Sequence, residues 1–179
     1  MSRSGEENPK LFTFEMHQDD PSKCTSAKMR KLGLARQLSK GAIRRDSVVL
    51  NPSGPEPVSR VDRTLAMSGG VVVIDCSWAH AEEVFETRFK GIQRRLPGLL
   101  AGNPTNYSRL GALSSVEAMS GALYIMDFKE LSRRLISIYK WGETFLTLNQ
   151  DALNEYSEAD SIEKIKRIEL EFFPMLRQS

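Results

Sequence analysis

A polar turn with one large aromatic residue directly follows the most apolar run of the chain. Asp75, Cys76, Ser77 and Trp78 come after residues 71–74, which are four consecutive β-branched aliphatic residues. This run is typical of a strand buried on both faces, and open α/β sheets bind ligands beyond the carboxyl ends of their strands. The turn could therefore bind a ligand with polar and flat apolar parts. A capping Asp followed by a core Trp is the alternative, and both interpretations stay open here.

A second candidate stretch covers residues 96–107, which contain two Pro, two Gly and two Asn. This composition fixes an unusual backbone path with exposed amide and carbonyl groups. Such a loop can bind a nucleoside through its main chain while Leu side chains pack on both faces of the base. A purely structural turn would have the same composition.

The third stretch contains Ser114 and Glu117, which have the spacing of a capping box. We expect a helix to begin there, with free N–H groups that suit a carboxylate or a phosphate. Because the capping role explains Glu117 fully, we do not predict it to be a catalytic acid. The stretch from Arg94 to Tyr124, together with the turn at residues 75–78, looks like the small-molecule site of a soluble intracellular enzyme.

Alternating strands and helices must position these stretches, and the pattern indicates an α/β fold with a helical final third. We predict strands at residues 11–14, 47–50 and 71–74. The predicted helices cover residues 25–38, 62–69, 81–89, 115–126, 128–140, 143–155 and 162–172.

Composition restricts the class of protein further. The chain has 179 residues, of which 40% are hydrophobic and 27% charged, as is ordinary for a globular protein. The longest apolar run, residues 70–76, is too short to cross a bilayer, and the first ten residues do not read as a secretory signal. Two cysteines predict neither a disulfide framework nor a metal site. We therefore expect a cytoplasmic protein without a bound metal.

The net charge of +2 conceals a strong polarity along the sequence. Residues 28–63 contain nine basic and three acidic side chains, whereas residues 151–171 contain seven acidic and three basic ones. A basic block of this kind can form a face for RNA phosphates, although a solvated surface gives the same pattern. The candidate RNA-binding residues are Arg36, Lys40, Arg44, Arg45 and Arg60.

Six short motifs in a fixed order carry a family resemblance. They are residues 20–25 (DPSKCT), 50–52 (LNP), 75–79 (DCSWA), 103–107 (NPTNY), 113–118 (LSSVEA) and 140–142 (KWG). Together they resemble the small-subunit (16S/18S) rRNA aminocarboxypropyltransferase family of archaea and eukaryotes. The resemblance covers nearly the whole chain, from about residue 11 to residue 156.

The resemblance implies a fold and an activity. The fold would comprise a small N-terminal α/β lobe, residues 1–92, and a SPOUT-like C-terminal lobe with a deep trefoil knot, residues 93–179. The enzyme would use S-adenosylmethionine to transfer a 3-amino-3-carboxypropyl group to N3 of a (methyl)pseudouridine in small-subunit rRNA. Methylthioadenosine would be the by-product. We expect a monomer whose partner is small-subunit rRNA or a pre-ribosomal particle, with no membrane involvement.

The resemblance also implies roles for individual residues. Trp78, with Ala81, would bury the methyl group of the cofactor so that the other carbon faces the acceptor. Asp75 is the only carboxylate of the proposed site without an obvious capping role, so it is the candidate general base for the acceptor proton, with orientation of the loop as the alternative. The cofactor-binding residues would be Thr25, Leu50, Pro52, Ile74, Trp78, Leu96, Leu99, Gly111, Leu113 and Ser115.

The chain departs from the family pattern at two positions, and two other functions stay open. Glu143 stands where the family often has a His, and Gly111 stands where it often has an aromatic residue. Side-chain roles at these positions are therefore open. The alternative functions are a SPOUT-type RNA methyltransferase and a non-catalytic rRNA-binding assembly factor.

Overall fold

The computed structural model describes residues 7–15, 25–75 and 88–178, and the described strands form one parallel sheet. Its six strands lie in the order β2-β1-β5-β3-β6-β4, and every pairing between described neighbours is parallel. The strands are β1 (Leu11–Glu15), β2 (Arg36–Gln37), β3 (Val48–Leu50), β4 (Glu56–Pro57), β5 (Val71–Asp75) and β6 (Ile92–Arg95). The predicted α/β class is confirmed.

The strand predicted to be buried on both faces, β5, lies inside the sheet between β1 and β3. Its side chains alternate between two apolar clusters: Val71 and Val73 belong to one, and Val72 and Ile74 to the other. Each residue of β1 pairs with one of β5, so that Glu15 lies opposite Asp75 at the carboxyl ends of the two strands. The sheet therefore places two carboxylates side by side at the carboxyl ends of its strands.

Seven α-helices complete the described residues, together with short 3-10 turns at Lys40–Ala42, Arg60–Asp62 and Pro174–Gln178. The helices are α1 (Thr25–Lys31), α2 (Arg63–Gly69), α3 (Ser115–Ile125), α4 (Lys129–Ile136), α5 (Gly142–Leu148), α6 (Gln150–Glu158) and α7 (Ile162–Phe172). Of these, α3 packs against β5, α4 and α6. Side chains of the sheet and of the later helices thus share one apolar core. No helix in the described ranges is long and apolar enough to span a membrane.

The helix predicted for residues 25–38 is shorter than expected because Gly33 ends it. Gly33 has a positive φ of 69°. Its N–H donates to the Arg30 carbonyl, and the N–H of Leu34 donates to the Met29 carbonyl, both at 2.9 Å. These two bonds form the Schellman motif, which closes a helix and turns the chain away. The chain then continues into β2, which the sequence did not predict.

The helix predicted for residues 143–155 is in fact two helices, α5 and α6, divided at Asn149. The Asn149 side chain accepts from the N–H of Leu100 at 2.7 Å and donates to the Leu100 carbonyl at 2.8 Å. Because these bonds join distant parts of the chain, no local pattern indicates the break. The helix predicted for residues 128–140 likewise ends early, at Ile136. The helix predicted for residues 81–89 lies mostly outside the described residues, and Arg88 and Phe89 are not helical.

Candidate active site

Two helix starts meet the carboxylate of Asp75 at the end of β5. The Ser26 hydroxyl, from the first turn of α1, donates to one Asp75 oxygen. The Ser115 hydroxyl, from the first turn of α3, donates to the other oxygen at 2.9 Å. The two helices also touch directly, because the N–H of Val116 donates to the Thr25 hydroxyl oxygen at 3.2 Å. The structure thus brings together three residues that the sequence predicted for the site, Thr25, Asp75 and Ser115.

A second carboxylate, Glu15, joins this cluster from β1. One of its oxygens lies 2.8 Å from the Ser26 hydroxyl oxygen and 2.6 Å from a guanidinium nitrogen of Arg30. A hydroxyl carries a single proton, so Ser26 can donate to Glu15 or to Asp75 but not to both at once. Glu15, Ser26 and Arg30 are not among the residues predicted for the site. The available signal was that two parallel strand sequences, LFTFE and VVVID, both end in an acid.

The predicted capping box at the start of α3 is confirmed, and Glu117 makes more bonds than the box requires. The Ser114 N–H donates to Glu117 at 2.7 Å, and the Glu117 N–H donates to the Ser114 hydroxyl oxygen at 3.4 Å. The same carboxylate accepts from the main-chain N–H of Gly102 at 2.7 Å and of Asn103 at 3.0 Å. The Asn103 amide nitrogen donates to it at 2.8 Å. Glu117 is completely buried and acts as a structural anchor.

Residues 99–111 form a hairpin, which we call the 99–111 hairpin. Leu100 and Leu110 form an antiparallel bridge, and the Gly111 N–H donates to the Leu99 carbonyl at 2.9 Å. Nearer the tip, the Ser108 N–H donates to the Ala101 carbonyl at 2.7 Å. Gly111 and Ser108 both have positive φ angles, 74° and 63°. The unusual backbone path expected from the Pro, Gly and Asn content is therefore present.

The chain just before the 99–111 hairpin is held by a partly buried ion pair between Arg95 and Glu169. Glu169 of α7 accepts from Arg95 at 2.7 and 2.8 Å and from the N–H of Gly98 at 2.8 Å. The hydrogen bond from Arg95 to Glu169 raises the pKa of the guanidinium. The Tyr156 hydroxyl donates to the Gly98 carbonyl at 3.1 Å. Burial, and then the negative charge of Glu169, raise the pKa of this phenol.

The other predicted cofactor-binding residues lie near the carboxyl ends of three strands or on the hairpin. Leu50 and Ile74 lie in β3 and β5, and Leu96 follows β6. Leu99 is fully buried, Leu96 and Leu113 are half-buried and Pro52 is exposed. Among the described residues, no atom lies within 4 Å of the position that a Cβ on Gly111 would take. Trp78 lies outside the described residues.

This set of groups fits S-adenosylmethionine. Half-buried leucines can pack on an adenine, and the open space at Gly111 lets a ligand approach the main chain. Hydroxyl groups at the start of α3 suit the polar amino acid end of the cofactor, because a helix N-terminus favours a carboxylate. The N–H of Gly111 donates to the Leu99 carbonyl, so a main-chain contact from Gly111 to a ligand would use its carbonyl.

The five candidate RNA-binding residues do not form a single cluster in the described part of the chain. Arg36 lies on β2 at one edge of the sheet, and Arg60 follows β4 at the opposite edge. Arg44 and Arg45 precede β3 and are exposed, and Lys40 lies 5.4 Å from the Phe89 ring centroid. Two of the five are paired on the surface, Arg44 with Asp46 at 2.9 Å and Arg60 with Asp127 at 3.2 Å. Hydrogen bonds from Arg44 and then Ser68 hold the pKa of the Asp46 carboxyl well below its usual range.

A parallel sheet with carboxylates, hydroxyls and apolar side chains along its carboxyl edge places the protein among α/β enzymes that bind a nucleotide-like ligand there. The family model described as "Ribosome biogenesis protein, C-terminal" matches residues 48–173. The chain belongs to this family.

Curated relatives and a solved structure agree with this assignment. The chain is 43% identical to the 16S rRNA aminocarboxypropyltransferase of Thermoplasma acidophilum, over 91% of this chain and 98% of that protein. It is 39% identical to the protein of the same name from Methanocaldococcus jannaschii, over 92% of this chain and 96% of that one. It is also similar to the structure of the SAM-dependent rRNA:acp-transferase Tsr3 from Vulcanisaeta distributa. That match has a TM-score of 0.82 and 35% identity and covers 96% of this chain and 99% of the other.

Proposed function

We propose that the protein transfers the 3-amino-3-carboxypropyl group of S-adenosylmethionine to N3 of a (methyl)pseudouridine in small-subunit rRNA during ribosome biogenesis. The observation that carries the proposal is that sequence and structure match over nearly the full length of transferases that bear this name. The cluster of Thr25, Asp75 and Ser115 supports it, because these residues are far apart in sequence and meet at the carboxyl ends of the strands.

Each group at this edge has a role in the proposal. S-adenosylmethionine supplies an activated carbon at the end of its aminocarboxypropyl chain, from which methylthioadenosine can leave. Leu50, Pro52, Leu96, Leu99 and Leu113 form the apolar surround of the adenine, and the main chain at Ile74, Leu99 and Gly111 binds the ribose and the base edge. Thr25 and Ser115 bind the amino acid end. Trp78 excludes the methyl carbon from the acceptor, a role that rests on the resemblance alone.

Asp75 is proposed as the general base. The acceptor N3–H must lose its proton as the new bond forms, and a carboxylate can take it. The Ser115 hydroxyl orients one Asp75 oxygen, and the Ser26 hydroxyl adds a bond to the other oxygen when it does not donate to Glu15. Such orientation is a large part of what an enzyme site contributes to rate.

The finer features of the fold and the partner are part of the same proposal. The division into an N-terminal lobe of residues 1–92 and a SPOUT-like, knotted lobe of residues 93–179 rests on the resemblance. The proposed boundary falls within β6, which pairs with β3 and β4, and the described helices from α3 onward all belong to the proposed second lobe. We also propose a cytoplasmic monomer that binds small-subunit rRNA through Arg36, Lys40, Arg44, Arg45 and Arg60. Exposed guanidinium and ammonium groups are the usual ligands of RNA phosphates.

Two labelled cofactors test the function and separate its alternatives. Small ribosomal subunits purified from cells that lack the protein are incubated with S-adenosylmethionine labelled either in the methyl group or in the aminocarboxypropyl chain. We expect label in the rRNA only with the second cofactor. Label from the methyl group would indicate an RNA methyltransferase instead. No label from either cofactor, together with absence of S-adenosylmethionine binding by calorimetry, would indicate an assembly factor.

A further inference from the structure

Tyr107, at the tip of the 99–111 hairpin, is an exposed aromatic side chain on a rigid support. Its exposed fraction is 57%, one of the largest among apolar side chains of the described residues. The Asn106 N–H donates to the Asn103 side-chain oxygen at 3.0 Å, and the Arg109 N–H donates to the Asn106 carbonyl at 2.9 Å. The bonded backbone on both sides therefore presents the ring to solvent in a fixed place.

The backbone beside Tyr107 adopts a conformation that needs a reason. Ser108 has a φ of 63°, a region that side-chain-bearing residues rarely occupy. The bond from its N–H to the Ala101 carbonyl holds it there. Strained backbone of this kind is concentrated at binding sites. In the free protein, the exposed ring of Tyr107 gains no stabilisation from burial. A partner that covers the ring would account for its exposure and for the strained backbone at Ser108.

The tip segment of the hairpin is bonded to the start of α3, beside the proposed site. Gly102 and Asn103 are bonded to Glu117 in the first turn of α3. Ser115, two residues before Glu117, is bonded to Asp75. Two residues advance only about 3 Å along a helix, so the hairpin is anchored close to Ser115, which contacts the proposed base.

The chemistry around Tyr107 matches an unpaired nucleotide. Sequence-specific RNA recognition relies on unstacked bases that pack on aromatic side chains, with basic side chains at the phosphates. Arg109 is exposed, and its guanidinium donates to the Asn106 side-chain oxygen at 3.1 Å, which orients it near the tip. Tyr107 and Arg109 thus offer a flat ring and a positive charge on one hairpin.

We propose that Tyr107 stacks on an unpaired base of the rRNA next to the acceptor nucleotide and that Arg109 binds the adjoining phosphate. The inference rests on the proposed function and adds to it a residue that positions the substrate. The contact would hold the nucleotide next to the acceptor near the proposed site.

Four variants test the inference: Tyr107→Ala, Tyr107→Phe, Arg109→Gln and, as a control of similar exposure, Met175→Ala, whose side chain is 61% exposed. Filter binding measures affinity for rRNA from cells that lack the protein, across a range of salt concentrations. Tyr107→Ala is expected to weaken binding about tenfold, as loss of one stacked base does, without changing the salt dependence. Tyr107→Phe and Met175→Ala should stay within twofold of the wild type. Arg109→Gln should lower the slope of log K against log salt by about one.

Transfer kinetics and cofactor affinity separate this inference from the proposed function. For Tyr107→Ala we expect the KM for small subunits to rise about as much as the RNA dissociation constant, with S-adenosylmethionine affinity unchanged. If wild-type protein transfers the group and Tyr107→Ala matches it within twofold in RNA affinity and KM, the stacking role is wrong and the transferase stands. If the wild type transfers nothing while Tyr107→Ala still weakens RNA binding tenfold, the transferase is wrong and the RNA contact stands.

Discussion

Glu117 and Asp75 are two carboxylates near the N-terminus of α3, and they accept hydrogen bonds from different kinds of donor. We expect a structural role for Glu117 and a chemical role for Asp75. Glu117 accepts bonds from the main-chain N–H groups of Gly102, Asn103 and Ser114, besides bonds from the Asn103 amide and the Ser114 hydroxyl. Asp75 accepts bonds from the hydroxyls of Ser26 and Ser115. A main-chain N–H can only donate, whereas a hydroxyl can rotate and can also accept. Main-chain donors therefore tie Glu117 to the 99–111 hairpin, whereas hydroxyls that can turn are the donors to Asp75 among the bonds described.

Burial follows the same division. Glu117 is completely buried, while Asp75 at the end of β5 is half-buried. A buried carboxylate with several fixed donors holds the hairpin to the helix. A partly accessible carboxylate with rotatable donors can meet a substrate. We therefore expect substitutions of Glu117 to reduce stability, and substitutions of Asp75 to reduce turnover.

The largest effect is expected from Glu117→Ala. The variant leaves buried N–H groups of the 99–111 hairpin and of Ser114 without an acceptor, and each such group costs about 1–3 kcal/mol. With part of this cost relieved by water, we expect a loss of about 4 kcal/mol in the free energy of unfolding, measured by urea denaturation. The exposed Glu143→Ala is the matched control and should change stability by less than about 0.5 kcal/mol. A loss below about 1 kcal/mol for Glu117→Ala would contradict the anchoring role.

Asp75→Asn is expected to have the next largest effect, on rate rather than on stability. The amide keeps the shape of the side chain and can still accept a hydrogen bond, but it cannot take the N3 proton. Single-turnover transfer should fall about 100-fold, within the usual range for loss of a general base, while the unfolding free energy changes by about 1 kcal/mol or less. Asp151→Asn, an exposed acid of α6, is the control. Unchanged single-turnover transfer with intact cofactor binding would leave Asp75 with a positioning role only.

The sequence predicted those parts of the site that depend on neighbours along the chain. The apolar run before Asp75 predicts β5, and the Ser114 and Glu117 spacing predicts the start of α3, because both signals are local. Glu15, by contrast, belongs to the site through strand register and through Ser26, which is itself 49 positions from Asp75. No local pattern encodes such a contact.

The misplaced helix ends have the same cause. Asn149 interrupts a periodic helical sequence because its side chain is bonded to Leu100, 49 positions away. The end of α1 differs, because Gly33 is itself a local signal that closes the helix before the predicted end at Leu38. The spread of the basic block is also not local information: Arg36 lies on β2 and Arg60 follows β4, at opposite edges of the sheet. Membership of one sequence block does not place residues on one surface when strands between them are rearranged in the sheet.

The smallest effect concerns Tyr156 of α6. Its partner Gly98 lies just before the 99–111 hairpin that Glu117 anchors. The Tyr156 hydroxyl donates to the Gly98 carbonyl, and Tyr156→Phe should lower the unfolding free energy by about 1 kcal/mol at pH 8. The exposed Tyr107→Phe is the control, with no measurable change. If Tyr156→Phe is as stable as the wild type at pH 8, the carbonyl of Gly98 does not depend on this bond.

The pH dependence of the same pair gives a sharper test. Burial, followed by the charge of Glu169, raises the pKa of Tyr156 above the ordinary value of about 10. Below pH 10 both the folded and the unfolded chain keep this proton, so the stabilising contribution of Tyr156 is complete. Above pH 10 the unfolded chain releases the proton while the folded chain retains it, and the wild type loses stability as the pH rises. Tyr156→Phe lacks this step, so the advantage of the wild type should shrink between pH 10 and pH 11. If the difference in unfolding free energy between the two proteins stays constant from pH 10 to pH 11, the phenol ionises as readily in the folded state as in the unfolded chain.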